Sequence, residues 1–297
     1  MTYNEDRFIF PEGVIRVTAG HGGEALLIRG PERNALLDCG MAYCGEETTR
    51  KILRETDRLD YILLSHSHYD HIGALPYILD AFPEAVVCGA EKCACILAKD
   101  SAHRLMKELG TDARNLYDPG SSREIRTDGL RVDRILSDGD RIDLGGNMFI
   151  SAWEMKGHTD CSLGYMLEPA GILFTAESTG ILEWDDYIHT PILKSFDDAE
   201  KSLKKCLELK PARVCLPHYG MLPEGSEEKY FEAFRRECDS KFEFVRVMQA
   251  EGLSRDEMFD RYVERYWDPR KLKEQPFEAF AINSGHILDA IIRYIGE

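Results

Sequence analysis

The sequence has no excess of positive charge. Its 37 lysines and arginines are outnumbered by 53 aspartates and glutamates, and the formal net charge is −16 over 297 residues. A groove that follows nucleic-acid phosphates needs clustered lysine and arginine, whereas the basic residues here are scattered among acidic ones. The composition therefore argues against nucleic acid and anionic membrane surfaces as partners, and we expect a small-molecule substrate instead.

Long apolar runs and paired cysteine motifs are also missing. No run approaches the roughly 18 apolar residues of a membrane span, and the opening MTYNEDRFIFPEG has no basic segment followed by an apolar core. The nine cysteines are an odd number without CxxC spacing. Several lie in apolar runs, which is typical of a reduced protein that uses cysteine as a small hydrophobic residue. We therefore expect a cytoplasmic protein.

The sequence contains no low-complexity linker and no detectable internal repeat, but its pattern changes near Pro223. Up to that point, strand and helix signals alternate, which predicts an α/β layered domain over residues 1–222. Beyond it, apolar residues recur at helical spacing, and Ser254–Glu257 has the capping-box pattern that opens a helix. We predict a helical appendage, or lid, over residues 223–297.

The segment LSHSHYDHIGALP, residues 64–76, places three of the nine histidines within six positions. It follows a short apolar run that predicts a buried strand. His66 and His68, two residues apart, would point in one direction if the chain stays extended, while Asp70 and His71 could serve a second position. Imidazole and carboxylate ligands suit zinc, iron or manganese. A polar turn with satisfied histidines is the alternative interpretation. No GxSxG motif offers a competing nucleophile.

The motif His66-Ser67-His68-Tyr69-Asp70-His71 resembles the HxHxDH signature of the metallo-β-lactamase superfamily. Further segments arrive in the order typical of that family, and the resemblance covers roughly residues 12–222. These segments are Asp38-Cys39-Gly40, Gly157-His158-Thr159, Phe174-Thr175-Ala176-Glu177 and Leu216-Pro217-His218-Tyr219-Gly220.

The resemblance implies a four-layer αββα sandwich, here with a C-terminal helical appendage, and two divalent metal ions. It also implies that Asp70 orients a hydroxide activated by the two metals. The metal ligands carried over by the resemblance are His66, His68 and His158 for the first ion, and Asp70, His71 and His218 for the second, with Glu177 bridging.

Glu177 departs from the family pattern, in which an aspartate preceded by glycine is usual. The additional methylene moves the carboxylate by about one bond length, so the alternative is a mononuclear or weakly dinuclear site. In that case Glu183, Asp185 or Asp186 could replace it.

The remaining candidates are expected to play supporting parts. Asp38 would orient a ligand or the histidine loop, and Cys161 would be a small buried residue. Tyr69 and His189 either face the substrate or pack in the interior. The histidines expected to be structural are His21, His103 and His286.

A closer resemblance concerns the reaction. The segments HSHYDHIGALPY, GHTD and LKSFDDAEKSL look like those of the thioesterases of bacterial alkylquinolone-signal biosynthesis, which implies hydrolysis of an acyl-thioester or a related activated ester. The helical end is also similar to hydroxyacylglutathione hydrolases, although no basic cluster for glutathione carboxylates is evident. A phosphodiesterase on a small substrate is the alternative, followed by an oxidoreductase or a regulatory protein of the same superfamily.

Overall fold

The structure is a computed structural model that describes residues 5–184, 187–273 and 275–296. The β-strands in these residues are β1 (Val14–Arg16), β2 (Leu26–Arg29), β3 (Asn34–Leu37), β4 (Tyr61–Leu63), β5 (Val86–Gly89), β6 (Arg134–Ile135), β7 (Arg141–Gly145), β8 (Met148–Glu154), β9 (Leu163–Glu168), β10 (Ile172–Phe174), β11 (Ile181–Trp184), β12 (Tyr187–His189) and β13 (Arg213–Cys215). The α-helices are α1 (Gly45–Glu55), α2 (Tyr69–Ile72), α3 (Leu75–Ala81), α4 (Glu91–Leu97), α5 (Asp100–Tyr117), α6 (Phe196–Leu209), α7 (Glu227–Ala250), α8 (Arg255–Tyr266) and α9 (Phe277–Gly296). Short 3₁₀-helices occur at Glu5–Phe8, Ala42–Cys44, Glu177–Thr179 and Pro269–Lys273.

The strands form two large sheets and one hairpin. The first sheet has the order β1-β2-β3-β4-β5-β6, antiparallel up to β3 and parallel from β3 to β6. The second has the order β13-β10-β9-β8-β7, in which only the pair β10–β13 is parallel. Strands β11 and β12 pair with each other as a separate antiparallel hairpin.

Successive side chains of the strands alternate between two buried clusters, one between the sheets and one beneath the helices. In β2, Leu26 and Ile28 lie in the buried cluster between the sheets, while Leu27 lies in the cluster beneath the helices of the first sheet. In β10, Leu173 likewise faces the opposite way from Phe174. Because successive side chains of a strand point to opposite faces, a strand that is apolar at every position must be covered on both sides.

Helices supply both outer layers. Ile52 of α1 and Ile78 of α3 share a buried cluster with the outer face of the first sheet. Leu203 of α6, Phe234 of α7 and Leu288 of α9 share one with the outer face of the second sheet. The arrangement is helix–sheet–sheet–helix, so the predicted αββα sandwich with a C-terminal helical region is confirmed. The division at residue 222 stays a prediction.

The apolar pattern of the sequence predicts strands over residues 141–155 and 172–178, and both have different bounds in the structure. The strand region predicted over residues 141–155 is a hairpin, because Gly145, Gly146 and Asn147 have φ values of 89°, 57° and 67° and turn the chain between β7 and β8. The strand predicted over residues 172–178 ends at Phe174. In the described part of the chain, no helix has both the length and the apolar character needed to cross a membrane.

Candidate metal centre

The histidine motif follows the carboxyl end of β4. The carboxyl ends of the parallel strands β3 to β6 lie at the same edge of the first sheet, so the loops after these strands begin there. After Leu63 the chain bends at Ser65 and Ser67 and reaches His68, whose φ and ψ of −78° and 147° place it just before α2. His66 and His68 therefore leave a bent loop rather than an extended segment, whereas Asp70 and His71 belong to the helical turn. One short segment thus directs side chains toward two neighbouring positions.

Two groups of side chains converge where the loops meet. Within each group, the potential ligand atoms lie within 4.8 Å of one another. The first group contains His66, His68, His158 and Glu177, and the second contains Asp70, His71 and His218. These are the seven residues that the sequence analysis named as ligands.

Glu177 lies between the two groups. Its Oε2 is 3.1 Å from His66 Nε2 and 2.7 Å from His158 Nε2, while its Oε1 is 3.0 Å from His218 Nε2. The two oxygens of one carboxylate therefore face different histidine groups. The glutamate reaches this point because it does not stand on β10: it begins the 3₁₀-helix that follows the strand.

The second group is equally compact. His71 Nε2 is 3.2 Å from His218 Nε2, and Asp70 Oδ2 is 3.6 Å and 3.7 Å from these two nitrogens. His218 enters from a tight turn after β13, in which Leu216 N donates to Gly220 O. In the first group, His158 Nε2 is 3.0 Å from His68 Nδ1.

The donor set fits divalent cations. His66 Nε2 and Glu177 Oε2 are buried and lie 3.1 Å apart, but neither has a hydrogen bond of normal geometry, although a buried polar atom normally has such a partner. Both atoms point into a cluster of imidazole and carboxylate groups, which are the ligands that zinc, iron and manganese accept. The residues present could therefore hold metal ions.

The histidines of the centre differ in the direction in which their pKa values are shifted. Burial, reinforced by His71 and His68, holds the pKa of His66 well below its usual value. Burial and His158 lower the pKa of His68 to about 4. For His71, burial is outweighed by the carboxylates of Asp70 and Asp38, and its pKa rises to about 10. The neutral imidazoles are available as ligands, whereas a cation at His71 would have to displace a proton.

Asp38 fixes the orientation of two histidines through their Nδ1 atoms, directly or through Ser65. Its Oδ2 is 2.8 Å from His71 Nδ1, and it also accepts a hydrogen bond of 2.6 Å from Ser65 Oγ. Ser65 Oγ in turn lies 3.0 Å from His66 Nδ1. Because both Nδ1 atoms are engaged, the Nε2 atoms are left to face the centre. The supporting part predicted for Asp38 agrees with these contacts.

The loop that carries His158 is held by contacts that the sequence did not reveal. His158 Nδ1 donates to Pro191 O at 2.5 Å, and its backbone N donates to Ser178 Oγ at 3.0 Å. The preceding Gly157 has a φ of 132°, and a Cβ there would lie 2.8 Å from Ala199. Ser178 stands next to Glu177 in sequence, so proximity to a motif was the only available signal.

Three nearby carboxylates were named as substitutes for Glu177, and none of them is found in either ligand group of the described residues. Glu183 forms a buried ion pair with Lys271 and belongs to neither group. Asp185 and Asp186 lie outside the described residues. Cys161 is buried, as predicted, with its Sγ 3.5 Å from Ser67 Oγ.

A cavity of about 400 Å³ opens over the two groups. Tyr69 and His189 both line it, and so does His286, which had been expected to be structural. His103 lies elsewhere, with Nε2 2.7 Å from Leu97 O, and His21 packs against Tyr117. The apolar residues of the cavity wall are Met41, Leu105, Leu109, Ile181, Pro191, Leu193, Ala279 and Ile282.

Comparison with known proteins places this architecture in a family. Residues 19–218 match the model of the metallo-beta-lactamase superfamily. The metallo-beta-lactamase fold-containing protein ST1585 of Sulfurisphaera tokodaii is 28% identical over 183 residues, which cover 61% of this chain and 69% of that protein. The hydroxyacylglutathione hydrolase of Ruegeria pomeroyi is 29% identical over 131 residues, covering 43% of this chain and 38% of that enzyme.

Solved structures show the same fold. The structure of ST1585 superimposes with a TM-score of 0.58 at 23% identity, covering 75% of this chain and 86% of that one. A metallo-beta-lactamase of Cronobacter sakazakii with a substituted HARLDQ motif gives a TM-score of 0.60 at 17% identity, covering 80% and 98%. The family match spans more than half of the sequence and includes all residues of both groups, and the chain therefore belongs to the metallo-β-lactamase superfamily.

Proposed function

We propose that this protein is a metal-dependent hydrolase that acts on an acyl-thioester or a related activated ester, with two divalent cations of zinc, iron or manganese. The observation that carries the proposal is the position of Glu177. Its Oε2 faces His66 and His158 while its Oε1 faces His218, which is how a carboxylate shared by two cations would be placed. The thioester preference itself rests on the sequence resemblance.

The two groups define which residues would hold which cation. His66, His68 and His158 would hold the first, and Asp70, His71 and His218 the second, with Glu177 common to both. When bound, such cations lower the pKa of a water molecule and polarise the carbonyl oxygen of an ester. A hydrolase of this kind needs no serine or cysteine nucleophile.

Asp70 has a further part among the chain's own residues. Its Oδ2 lies 3.6 Å and 3.7 Å from the Nε2 atoms of His71 and His218, and the residue lines the cavity. A carboxylate at the boundary between ligands and cavity can accept a hydrogen bond from the attacking water and so orient it. Asp70 would then contribute both to cation binding and to catalysis.

The cavity favours an ester over a phosphodiester. Among the described residues that line it, the carboxylates of Asp70 and Glu177 face a single lysine, Lys194, and no arginine, and Glu183 is already paired with Lys271. An anionic phosphodiester would meet this acidic surface with little compensation outside the cations. The phosphodiesterase alternative is therefore ranked second, and a small-molecule ester is the proposed substrate. The cytoplasmic location stays a prediction.

Metal analysis combined with a substrate panel tests the proposal. Purified protein should contain about two equivalents of zinc, iron or manganese and should hydrolyse a thioester faster than a lactone or a phosphodiester. Glu177→Ala should lose at least one equivalent and reduce kcat/KM roughly 100-fold or more, whereas the exposed control Glu124→Ala should change neither quantity. Full occupancy without turnover of any substrate would identify a regulatory binder instead, and an active metal-free protein would refute the proposal.

A further inference from the structure

The 3₁₀-helix Glu5–Phe8 lies against the two turns that bring Glu177 and His218 to the metal centre. These turns follow β10 and β13, which are neighbours in the second sheet. The two side chains meet at the boundary of the ligand groups, with Glu177 Oε1 and His218 Nε2 3.0 Å apart. The helix precedes residue 19, where the match to the family begins, so membership of the family assigns no part to it.

Arg7 contacts the chain beyond both turns at once. Its Nη1 donates a hydrogen bond of 2.9 Å to Leu182 O, on the strand β11 that follows the turn of Glu177. Its backbone O accepts a hydrogen bond of 2.7 Å from Met221 N, which follows the turn of His218. Because a single residue is bonded on both sides, it fixes the separation of the two turns.

The turn of His218 is closely fitted to Arg7. Gly220 has a φ of 78°, and a Cβ at this position would clash with Arg7 O. Tyr219 also has a left-handed φ, of 64°, and its ring centroid lies 6.0 Å from the guanidinium carbon of Arg7. A residue other than glycine keeps such a conformation only where its surroundings hold it. The N-terminal helix is one of these surroundings.

Arg7 is a buried cation, since only 1% of its surface is exposed. Its charge also reaches α7: burial raises the pKa of the Tyr230 phenol, and the charge of Arg7 opposes this rise. Tyr230 Oη in turn donates to Thr179 O at 3.0 Å, in the 3₁₀-helix that Glu177 begins. Burying a guanidinium is unfavourable unless hydrogen bonds compensate. An apolar side chain would serve for packing alone, so the buried charge points to a role in holding the turns.

We propose that Arg7 is a positioning residue of the metal centre, which holds His218 against Glu177 and thereby sets the affinity of the second group for its cation. This inference rests on the pair of cations in the proposed function. Arg7 belongs to neither ligand group and acts through the backbone at Leu182 and Met221. The first cation would keep its three histidines, which are carried by other segments.

Calorimetric titration of the metal-free protein with zinc chloride tests this inference. Arg7→Met should bind the second equivalent about tenfold more weakly than the wild type, with the first equivalent nearly unchanged. His218→Ala identifies the second equivalent as the one that it loses. Arg7→Lys, which keeps a charged donor, should recover part of the affinity. The control Ile142→Ala leaves a cavity on β7, at the edge of the second sheet opposite β13, and should keep both affinities.

Amide hydrogen exchange in the metal-free protein gives a readout that does not depend on cations. Arg7→Met should speed exchange about tenfold at the amides of Leu216 and Met221, on either side of His218, and leave the amides of β8 unchanged. A uniform increase at all of these amides would show that Arg7 only stabilises the whole fold, and the inference would fail. If Arg7→Met does not fold, Arg7→Gln, whose shorter side chain cannot reach Leu182 O, takes its place.

The two measurements separate this inference from the proposed reaction. If the wild type holds two cations but hydrolyses no ester, the role of Arg7 stands and the proposed reaction fails. If the wild type holds fewer than two cations, the proposed centre fails, and exchange at Leu216 and Met221 decides whether Arg7 positions the turn. Equal affinity for the second cation in wild type and Arg7→Met, or an equal loss of both cations, would refute the role of Arg7 alone.

Discussion

At the scale of single residues, Asp38 determines how two histidines are presented. It contacts His71 directly and His66 through Ser65, and its Oδ1 also accepts a hydrogen bond of 2.7 Å from Ser65 N. Its backbone has a φ of 51°, a left-handed conformation that aspartate and asparagine tolerate better than most residues. Asparagine can therefore replace it without a new backbone strain.

We expect Asp38→Asn to fold normally but to bind metal about 10- to 100-fold more weakly, because the amide lacks the charge that holds His71 Nδ1–H. Competition with a chelator of known affinity measures this change. Asp143→Asn is the matched control, since the Asp143 side chain is 60% exposed and lies away from the centre. Equal metal affinity in wild type and Asp38→Asn would show that Asp38 has no part in positioning the ligands.

The buried position of Lys241 makes the stability of the protein depend on pH. It is fully buried on α7, and its Nζ donates to Thr190 Oγ1 at 2.7 Å. Burial lowers its pKa to about 8, against roughly 10.4 in an unfolded chain. Between these pH values the unfolded chain binds more protons, so the stability contributed by Lys241 rises with pH.

The destabilising effect of charged Lys241 should be fully present below pH 8. On raising the pH to roughly 10.4, the unfolding free energy of the wild type should increase relative to that of Lys241→Met by about 3 kcal/mol. Urea unfolding of both proteins across this pH range gives the difference in their unfolding free energies. The contributions of all other titrating groups are the same in both proteins and cancel in this difference. A difference that is independent of pH would show that Lys241 titrates normally in the folded state.

The residues that contact one another across long sequence distances were not predictable. The ligand candidates could be named because their motifs have fixed spacing and order. Ser65 and Ser178 adjoin motif residues but carry no signal of their own. Pro191, Lys241 and Lys271 act through contacts with segments 33 to 88 residues away, and no local pattern in a single sequence reveals such partners.

At the scale of elements, two lysines from the C-terminal helical region fix the hairpin of β11 and β12. Lys241 of α7 binds Thr190, immediately after β12, and Lys271 of the last 3₁₀-helix binds Glu183 of β11. The hairpin was not predicted, because its strands have three and four residues and adjoin no turn motif. Its position depends on these tertiary contacts rather than on local propensity.

The ion pair between Lys271 and Glu183 should show strong coupling, since the side chains are 1% and 6% exposed. Lys271→Met leaves a buried carboxylate without its counter-ion and should reduce the unfolding free energy by about 3–5 kcal/mol. Adding Glu183→Gln should recover most of this loss, which denaturant unfolding of the single and double variants can measure. Arg255→Met, which breaks an exposed pair with Asp289, should cost about 1 kcal/mol or less. Additive effects of Lys271→Met and Glu183→Gln would refute the coupling.

At the scale of the whole molecule, the C-terminal helices form one of the four layers. Leu173 and Val214 of the second sheet share a buried cluster with Phe231, Met258 and Leu288 of these helices. The four-layer order was expected from the resemblance to the metallo-β-lactamase superfamily, and strands that are apolar on both faces agree with helices on both sides. The contact of the helices with the sheet was not predictable, because amphipathic periodicity shows that a face is buried without showing against what.

Deleting residues 223–297 should therefore uncover the part of the second sheet's outer face that α6 does not cover, and remove the partners of Glu183 and Thr190. We expect an aggregating or loosely packed product that binds a hydrophobic dye and has reduced metal content. Size-exclusion chromatography, dye fluorescence and elemental analysis test this expectation. A monodisperse truncated protein with full metal content and unchanged kinetics would contradict both the shared core and the predicted lid.

The distance along the chain between the metal-binding loops and α9 sets an order of events during synthesis. The segment His66–His71 leaves the ribosome first, Glu177 completes the first group, and His218 completes the second. The cavity wall formed by α9 begins only at Phe277, which at typical elongation rates emerges roughly 10–40 s after the histidine motif. The histidine motif can thus meet cellular metal before α9 closes the cavity, and the C-terminal helices then stabilise the assembled centre.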